Sequence, residues 1–446
     1  MDVFSRDFTE GNIKKNLISL SVPILVTYMF NILYNIVDSL WIGNILGESA
    51  IAALTVSSPL ILIFMSVGMG ATNGLSILLS RSIGAKDKEG ITKIISTSFL
   101  AALGFSLFLT VVCEFSTNFI LGILNTPEEI FIMAKEYLSI YILGFLFVFM
   151  YLYFTAVLRS FGNSLMQMLS IISCTILNAI LDPLFIRWMG IKGAAVATLI
   201  SQGIMIMILI FYIQKKKLVE IHLKSFDKDI LKEIVKNAAP SIIQQSLPAL
   251  STSFITSIVS TFGVLPIAAF GICGKLETVL LYPAMALNIS LTTCTGQCYG
   301  AKKESKAKEY LNMSILFGGI ILLVLTGMMV LFSVNLAGLF GAGVQSGQLV
   351  QTYFKIISIG YSCNTITNCI LGTINGYGKP ISAMFLMIFY YMIVRMPLVK
   401  LLSLTSIELN GIWIAVLISH IAAAIASFVY FRTLVGKERE GVELYE

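Results

Sequence analysis

The chain has 446 residues, 57% hydrophobic and only 12% charged, with a mean hydropathy of +0.88 and a formal net charge of +6. Soluble domains carry about 25% charged residues, so this composition excludes an ordinary soluble enzyme or binding module and points to a polytopic membrane protein. The excess positive charge sits in loops between apolar segments, which makes it a topology signal; no nucleic-acid partner is expected.

Crossing a hydrocarbon core takes about 20 apolar residues. Twelve such segments follow one another, at 17–40, 50–80, 93–115, 134–157, 165–187, 191–213, 237–261, 267–297, 310–333, 348–374, 380–403 and 409–432. The mixed-charge first 16 residues run directly into the first segment, so no cleavable signal peptide is expected. The segments at 50–80 and 267–297 exceed one span and should tilt or project from the bilayer.

In the first segment Asn31, Tyr34, Asn35 and Asp38 stand at i, i+3, i+4 and i+7, so they share one helix face. An acid there is expensive to keep in lipid, which makes Asp38 a functional candidate. The fifth segment carries Asn178 and Asp182 one turn apart, and the sixth opens with Thr198 and Gln202. Three helices thus bring Tyr34, Asn35, Asp38, Asn178, Asp182 and Thr198 to one level in the outer half. Two buried carboxylates side by side form a proton carrier near neutral pH, through desolvation and like-charge repulsion. The oxygens of Asp38, Asn178, Asp182 and Thr198 equally suit a sodium ion, and the residues alone do not choose. The bland reading makes Asp182, before Pro183, a helix-end carboxylate at the water interface.

The second half has no acid matching Asp38; its seventh segment reads Gln244-Gln-Ser instead. Its intramembrane charges are Lys275 and Glu277 in the eighth segment and Arg395 in the eleventh. They are read either as an ion pair, Glu277 with Arg395, or as a polar surface for substrate or a second proton site. Gln244, Asn364 and Asn368 add to that surface. His222 is expected to be a solvated linker residue and His420 a packed polar one. The seven cysteines are odd in number and lie in or beside apolar segments, so neither a disulfide framework nor a zinc site is expected. No Walker loop is present and no catalytic constellation is found, so the chain is read as neither an ATPase nor another enzyme, with no cofactor.

Of the 30 Lys and Arg, 23 fall on one alternating set of segment ends and five on the other, with Lys275 and Arg395 inside spans. The positive-inside rule then places both termini in the cytoplasm. The basic linker 214–236 separates an amino-terminal lobe, 1–213, from a carboxy-terminal lobe, 237–446. The halves resemble each other: Gly84-Ala-Lys86 and Gly300-Ala-Lys302, Tyr137 and Tyr353, Gly144 and Gly360, and Gly162 and Gly378 are each 216 residues apart. The pair Pro23 and Pro240 slips by one residue, and the pair Gly193 and Gly411 by two. Six spans per half make parallel repeats. The expected fold is an all-α membrane protein of about twelve transmembrane helices, in two parallel six-helix lobes with pseudo-two-fold symmetry along the membrane normal.

These motifs resemble the multidrug and toxic compound extrusion (MATE) transporters over nearly the whole chain. The resemblance rests on Pro23 followed by Tyr34-Asn-Ile-Val-Asp38, on Ala52-Ala53-Leu54, and on Gly84-Ala-Lys86. It continues through Leu158-Arg-Ser-Phe-Gly162-Asn, Asn178 to Asp182-Pro183, Gly193-Ala-Ala-Val-Ala-Thr198, Glu277 and Gly296-Gln297. It implies an antiporter of the cell (inner) membrane that exports cationic, amphipathic compounds by alternating access, driven by protons or sodium. It also implies a hinge at Pro23 and coupling at Asp38 with Tyr34, Asn178, Asp182 and Thr198. The glutamines in the seventh segment place the pattern nearest the DinF-like branch. A monomer surrounded by membrane lipids is expected. The alternatives are a flippase for a lipid-linked oligosaccharide or cell-wall precursor, for which only Lys275, Arg395 and Arg159 offer positive charge, and a channel or non-transport membrane protein.

Overall fold

The computed structural model describes residues 6–124, 126–216, 221–222, 225–341 and 343–443, and it is helical throughout, with no strand among them. The helices are α1 (Ile13–Leu46), α2 (Glu48–Gly84), α3 (Lys88–Ile123), α4 (Glu128–Leu143), α5 (Phe145–Ser160), α6 (Leu165–Met189) and α7 (Ile191–Lys215). They continue with α8 (Lys228–Val259), α9 (Val264–Gly300), α10 (Glu304–Leu339), α11 (Val344–Gly376), α12 (Pro380–Ile388), α13 (Met396–Ser403) and α14 (Leu409–Glu443).

The expected twelve segments each coincide with a helix or a joined pair. Among the described residues nine spans, counting Pro380–Ser403 as one, are long and apolar enough to cross a membrane, and α4 with α5 makes a tenth, bent by 41°. Helices α8 and α11, of 32 and 33 residues, complete the set but carry more polar residues. Side chains such as Phe115, 89% exposed, and Leu331, 72% exposed, face outward from their helices. In water that surface would be costly; in lipid every backbone group is satisfied within its helix and the apolar exterior is solvated.

The repeat is written into the backbone. Lys86 and Lys302 both adopt φ 58, Gly162 and Gly378 φ 84 and 74, Gly47 and Gly263 φ 85 and 105. Each lysine closes its helix in the same way. Lys86 N–H donates to Ile83 and Asp87 N–H to Ser82, while Lys302 donates to Tyr299 and Lys303 to Cys298. This is a left-handed helix cap, a position glycine usually fills because a Cβ is strained there. Gly144 and Gly360 share a different job. A Cβ on Gly144 would come within 2.9 Å of Leu199, and on Gly360 within 3.0 Å of the His420 ring, so glycine lets α7 and α14 approach.

One irregularity breaks the repeat. Between α12 and α13 the chain forms a π turn at Phe389–Arg395. A π turn absorbs one extra residue within a helix, and it falls in the stretch over which the repeat offset grows by two, from 216 at Gly162 and Gly378 to 218 at Gly193 and Gly411.

The chain groups into two compact units, residues 1–7 with 22–242, and residues 8–21 with 243–446. In the first unit the core is built on Phe64, Leu79, Tyr137, Phe145, Phe149 and Tyr153. In the second it is built on Phe270, Tyr353, Phe354, Tyr361 and Trp413. Helix α1 changes unit between Ser21 and Val22, and α8 between Ile242 and Ile243, each within two residues of its repeat-related proline, Pro23 or Pro240.

Candidate functional site

In the first unit the buried face of α6 carries Gln167, Ser170, Cys174, Asn178 and Asp182, a polar stripe at three- and four-residue intervals. Asp182 and Asn178 are fully buried, Thr198 is 3% exposed and Asp38 6%. The Tyr34 hydroxyl of α1 donates to the Thr198 hydroxyl of α7 at 3.0 Å. The Asn178 amide donates to one Asp182 carboxylate oxygen at 2.8 Å. Asp38 and Asp182 lie within electrostatic reach of each other, and Tyr34, Tyr137 and Tyr141 within reach of Asp38. The stripe, the acid on α1 and the hydroxyl on α7 therefore lie close to one another.

The unsatisfied atoms define the chemistry. Among the described residues of this cluster, Asp38 Oδ1, Asn178 Oδ1 and Asp182 Oδ2 are buried without a hydrogen-bond partner. All three are acceptors. A buried acceptor left alone is unfavourable by about 1–3 kcal/mol, so what completes this cluster must bring positive charge or a donor. Carboxylate and carbonyl oxygens are hard ligands, and the set suits a proton or a hard monovalent cation equally. Asn35 does not join it: its side chain is exposed and donates to the Asn31 carbonyl at 2.7 Å. Tyr137 and Tyr141 were not chosen from the sequence. The available signal was the pairing of Tyr137 with Tyr353 across the repeat.

The second unit holds a different arrangement. Glu277 accepts hydrogen bonds from the Tyr353 and Tyr361 hydroxyls, at 3.0 and 3.2 Å. Arg395, 8% exposed, donates to Ser419 at 2.8 Å and to the Tyr390 hydroxyl at 2.6 Å, and its guanidinium stacks on the rings of Tyr390 and Tyr391 at 4.7 and 4.8 Å. His420 sits between them, with Nε2 3.2 Å from Arg395 Nη2 and Nδ1 2.6 Å from the Tyr390 hydroxyl. Arginine only donates, so Nε2 accepts and Nδ1–H donates to Tyr390. The tautomer is thereby fixed, and His420 is the packed polar residue expected of it.

The expected ion pair is absent: among the described residues no direct contact joins Glu277 and Arg395. The reason is geometric, because α14 and the π turn supply Arg395 with its partners and α11 supplies those of Glu277. Both residues nevertheless line one cavity of about 450 Å³, together with Lys275, Thr252, Phe270 and Thr278. Lys275 is exposed and rests its ammonium 5.4 Å over the Phe340 ring. Asn364 reaches the Tyr390 hydroxyl at 3.4 Å, and Asn368 donates to Asn364 at 3.0 Å. Gln244 lies apart from this network, bonded to Asn375 and to the Pro380 carbonyl at 2.9 Å, where it fastens α8 to α11 and α12.

Comparison with known proteins gives one family. The MatE family model matches twice, over residues 23–184 and 240–401, the same internal repeat at an offset of 217. The probable multidrug resistance protein YpnP of Bacillus subtilis (strain 168) is 29% identical over 429 residues, 96% of each chain. The FAD transporter of Shewanella oneidensis is 25% identical, covering 92% of this chain and 93% of that protein. The multidrug export protein MepA of Staphylococcus aureus (strain NCTC 8325) is 22% identical over 83% of each. In fold, the chain superposes on the outward-facing structure of a multidrug resistance MATE transporter with a TM-score of 0.92 at 23% identity, over 98% of this chain and all of that one. A MATE structure in the straight conformation gives a TM-score of 0.92 at 24% identity, over 99% of this chain and all of that one. The chain is a multi-pass membrane protein that belongs to the MatE family, whose members are transporters and not enzymes.

Proposed function

We propose that this chain exports amphipathic drugs or toxic organic compounds across the cell membrane, in exchange for protons or sodium, by alternating access. Both termini lie in the cytoplasm in this reading, as the distribution of Lys and Arg requires. The observation that carries it is the set of three buried, unpartnered acceptors on Asp38, Asn178 and Asp182. Binding a proton or sodium ion there completes the set and favours one access state. The exported compound favours the other, and linkage makes the two reciprocal. Pro23 and Pro240 supply the bending points, since each lies where its helix passes from one compact unit to the other.

The cavity beside Glu277, Lys275 and Arg395 is the cargo site in this reading. A flippase would need several free cations for a pyrophosphate; Arg395 is already occupied by Ser419, Tyr390 and His420, which leaves Lys275 as the exposed cation of this cavity. The test uses purified protein in liposomes with an imposed proton or sodium gradient, a cationic dye and, because one relative is described as an FAD transporter, an FAD arm. Gradient-driven dye efflux that Asp38→Asn abolishes is expected. Undiminished efflux in that variant, or flux without any gradient, would overturn the coupling.

A further inference from the structure

Helix α8 leaves a cavity of about 400 Å³ against α2, α3 and α5, within the first unit. Its walls include Leu75, Phe105, Phe149, Ile234, Ala238 and Ile242. Three hydroxyls reach it and all are spoken for: Tyr153 and Ser98 bond the Ile95 carbonyl, and Thr72 bonds that of Gly68. The walls therefore recognise nothing but hydrocarbon. The cavity is held open by contact on its flank. A Cβ on Gly70 would meet the Ile242 backbone at 2.3 Å, and one on Gly74 the Ala238 backbone at 2.4 Å, so α2 and α8 are already at their closest approach.

The rim has a charge pattern. On α8 the cavity residues Leu231, Val235 and Ala239 recur at four-residue intervals, and Lys228, Lys232 and Lys236 run beside them, each three residues before one of the row. Val235 and Ala239 are exposed, so the cavity opens on the lysine side. All three lysines are exposed, and none is in an ion pair among the described residues. The acids of this helix, Asp229 and Glu233, stand two residues from Leu231 and turn away from the cavity, each three residues before Lys232 or Lys236 on the far flank of the lysine row. From Lys228 to Lys236 the row extends about 12 Å at 1.5 Å per residue. Three cations along one side of the opening suit an anion that offers several oxygens and a polar body long enough to lie along them, as a phospholipid headgroup does, and their sign repels a cationic drug.

We propose that this cavity seats one acyl chain of an anionic phospholipid from the adjoining leaflet, with its phosphate on the Lys228, Lys232 and Lys236 row. The lipid wedges between α8 and the α2, α3 and α5 wall, and holds the amino-terminal half of α8 in place. The site is separate from the acidic cluster and from the Glu277 cavity, and does not depend on what the protein exports.

The test is native mass spectrometry and thermal stability of the full chain in detergent, with added phosphatidylglycerol, phosphatidylcholine or oleate. Phosphatidylglycerol should be retained and should raise Tm, while phosphatidylcholine does so far less. The triple variant Lys228→Gln, Lys232→Gln, Lys236→Gln should retain phosphatidylglycerol at least about tenfold less well, from the loss of three cations at the headgroup. Ala101→Phe, which fills the cavity, should lower retention of both phospholipids. Equal retention of the two phospholipids by the unaltered protein, or an unchanged triple variant, overturns the headgroup assignment. Oleate displacing phosphatidylglycerol would overturn the phospholipid as occupant. Because the lysines are exposed, the triple variant keeps the test decisive should Ala101→Phe fail to fold.

Discussion

Tyr353 donates a 3.0 Å hydrogen bond to Glu277, and its repeat partner Tyr137 lies within electrostatic reach of Asp38 and Asp182. One tyrosine position thus lies near acids in both units, although the acids themselves are not repeat-related: Asp38 is on the first helix of its repeat and Glu277 on the second of the other. The repeat kept the tyrosine, and only Tyr353 bonds its acid directly.

Tyr353→Phe removes one of the two donors to Glu277. The variant should lose about 1 kcal/mol of stability, as expected for a part-buried carboxyl group that keeps only the Tyr361 donor. Combining it with Glu277→Gln should recover part of that loss, because the neutral amide needs its donor less. A double-mutant cycle by thermal unfolding in detergent reads the coupling; strict additivity would show that the bond contributes nothing.

His420 bridges Tyr390 and Arg395, and Gln202 occupies its place in the first half. Gln is therefore the natural conservative replacement. His420→Gln should fold and retain most stability. His420→Leu should lose about 1–3 kcal/mol by stranding buried donors. If the two variants unfold at the same temperature, the bridge is not a stabilising element.

The lysine caps carry backbone strain that glycine would relieve. Lys302→Gly, at φ 58, should raise stability by about 1 kcal/mol, because an L-residue in the left-handed region is disfavoured by roughly that amount. Gly162→Ala, at φ 84 and with Arg6 backbone 3.0 Å from the added Cβ, should lower it. Midpoints of thermal unfolding decide both, and a destabilised Lys302→Gly would mean that the side chain matters more than the turn.

Asn35 and Asn178 separate the residues that share a sequence pattern from those that share a site. Asn35→Ala, whose side chain is exposed, should leave gradient-driven efflux within about twofold of the original. Asn178→Ala removes the donor to Asp182 and should lower efflux at least tenfold with expression maintained. Equal efflux from the two would remove Asn178 from the coupling site.

Much of this molecule is legible in one dimension. Apolar length marks the spans, because lipid demands internally bonded helices wherever the chain crosses. The repeat survives as paired glycines and lysines because each occupies a turn or a close approach that few residues tolerate. The polar stripe on α6 and the shared face of Tyr34 and Asp38 on α1 follow from helical periodicity. Only the tertiary structure decided the rest, since helix rotation and neighbour identity are not written in any single segment. It left the Asn35 side chain exposed although it stands next to Tyr34, and gave Arg395 to Ser419, Tyr390 and His420 in place of Glu277. It took Gln244 out of the cavity to fasten three helices, and brought Tyr137 and Tyr141 to the acids. In each case hydrogen bonds and packing across different helices determined the partner.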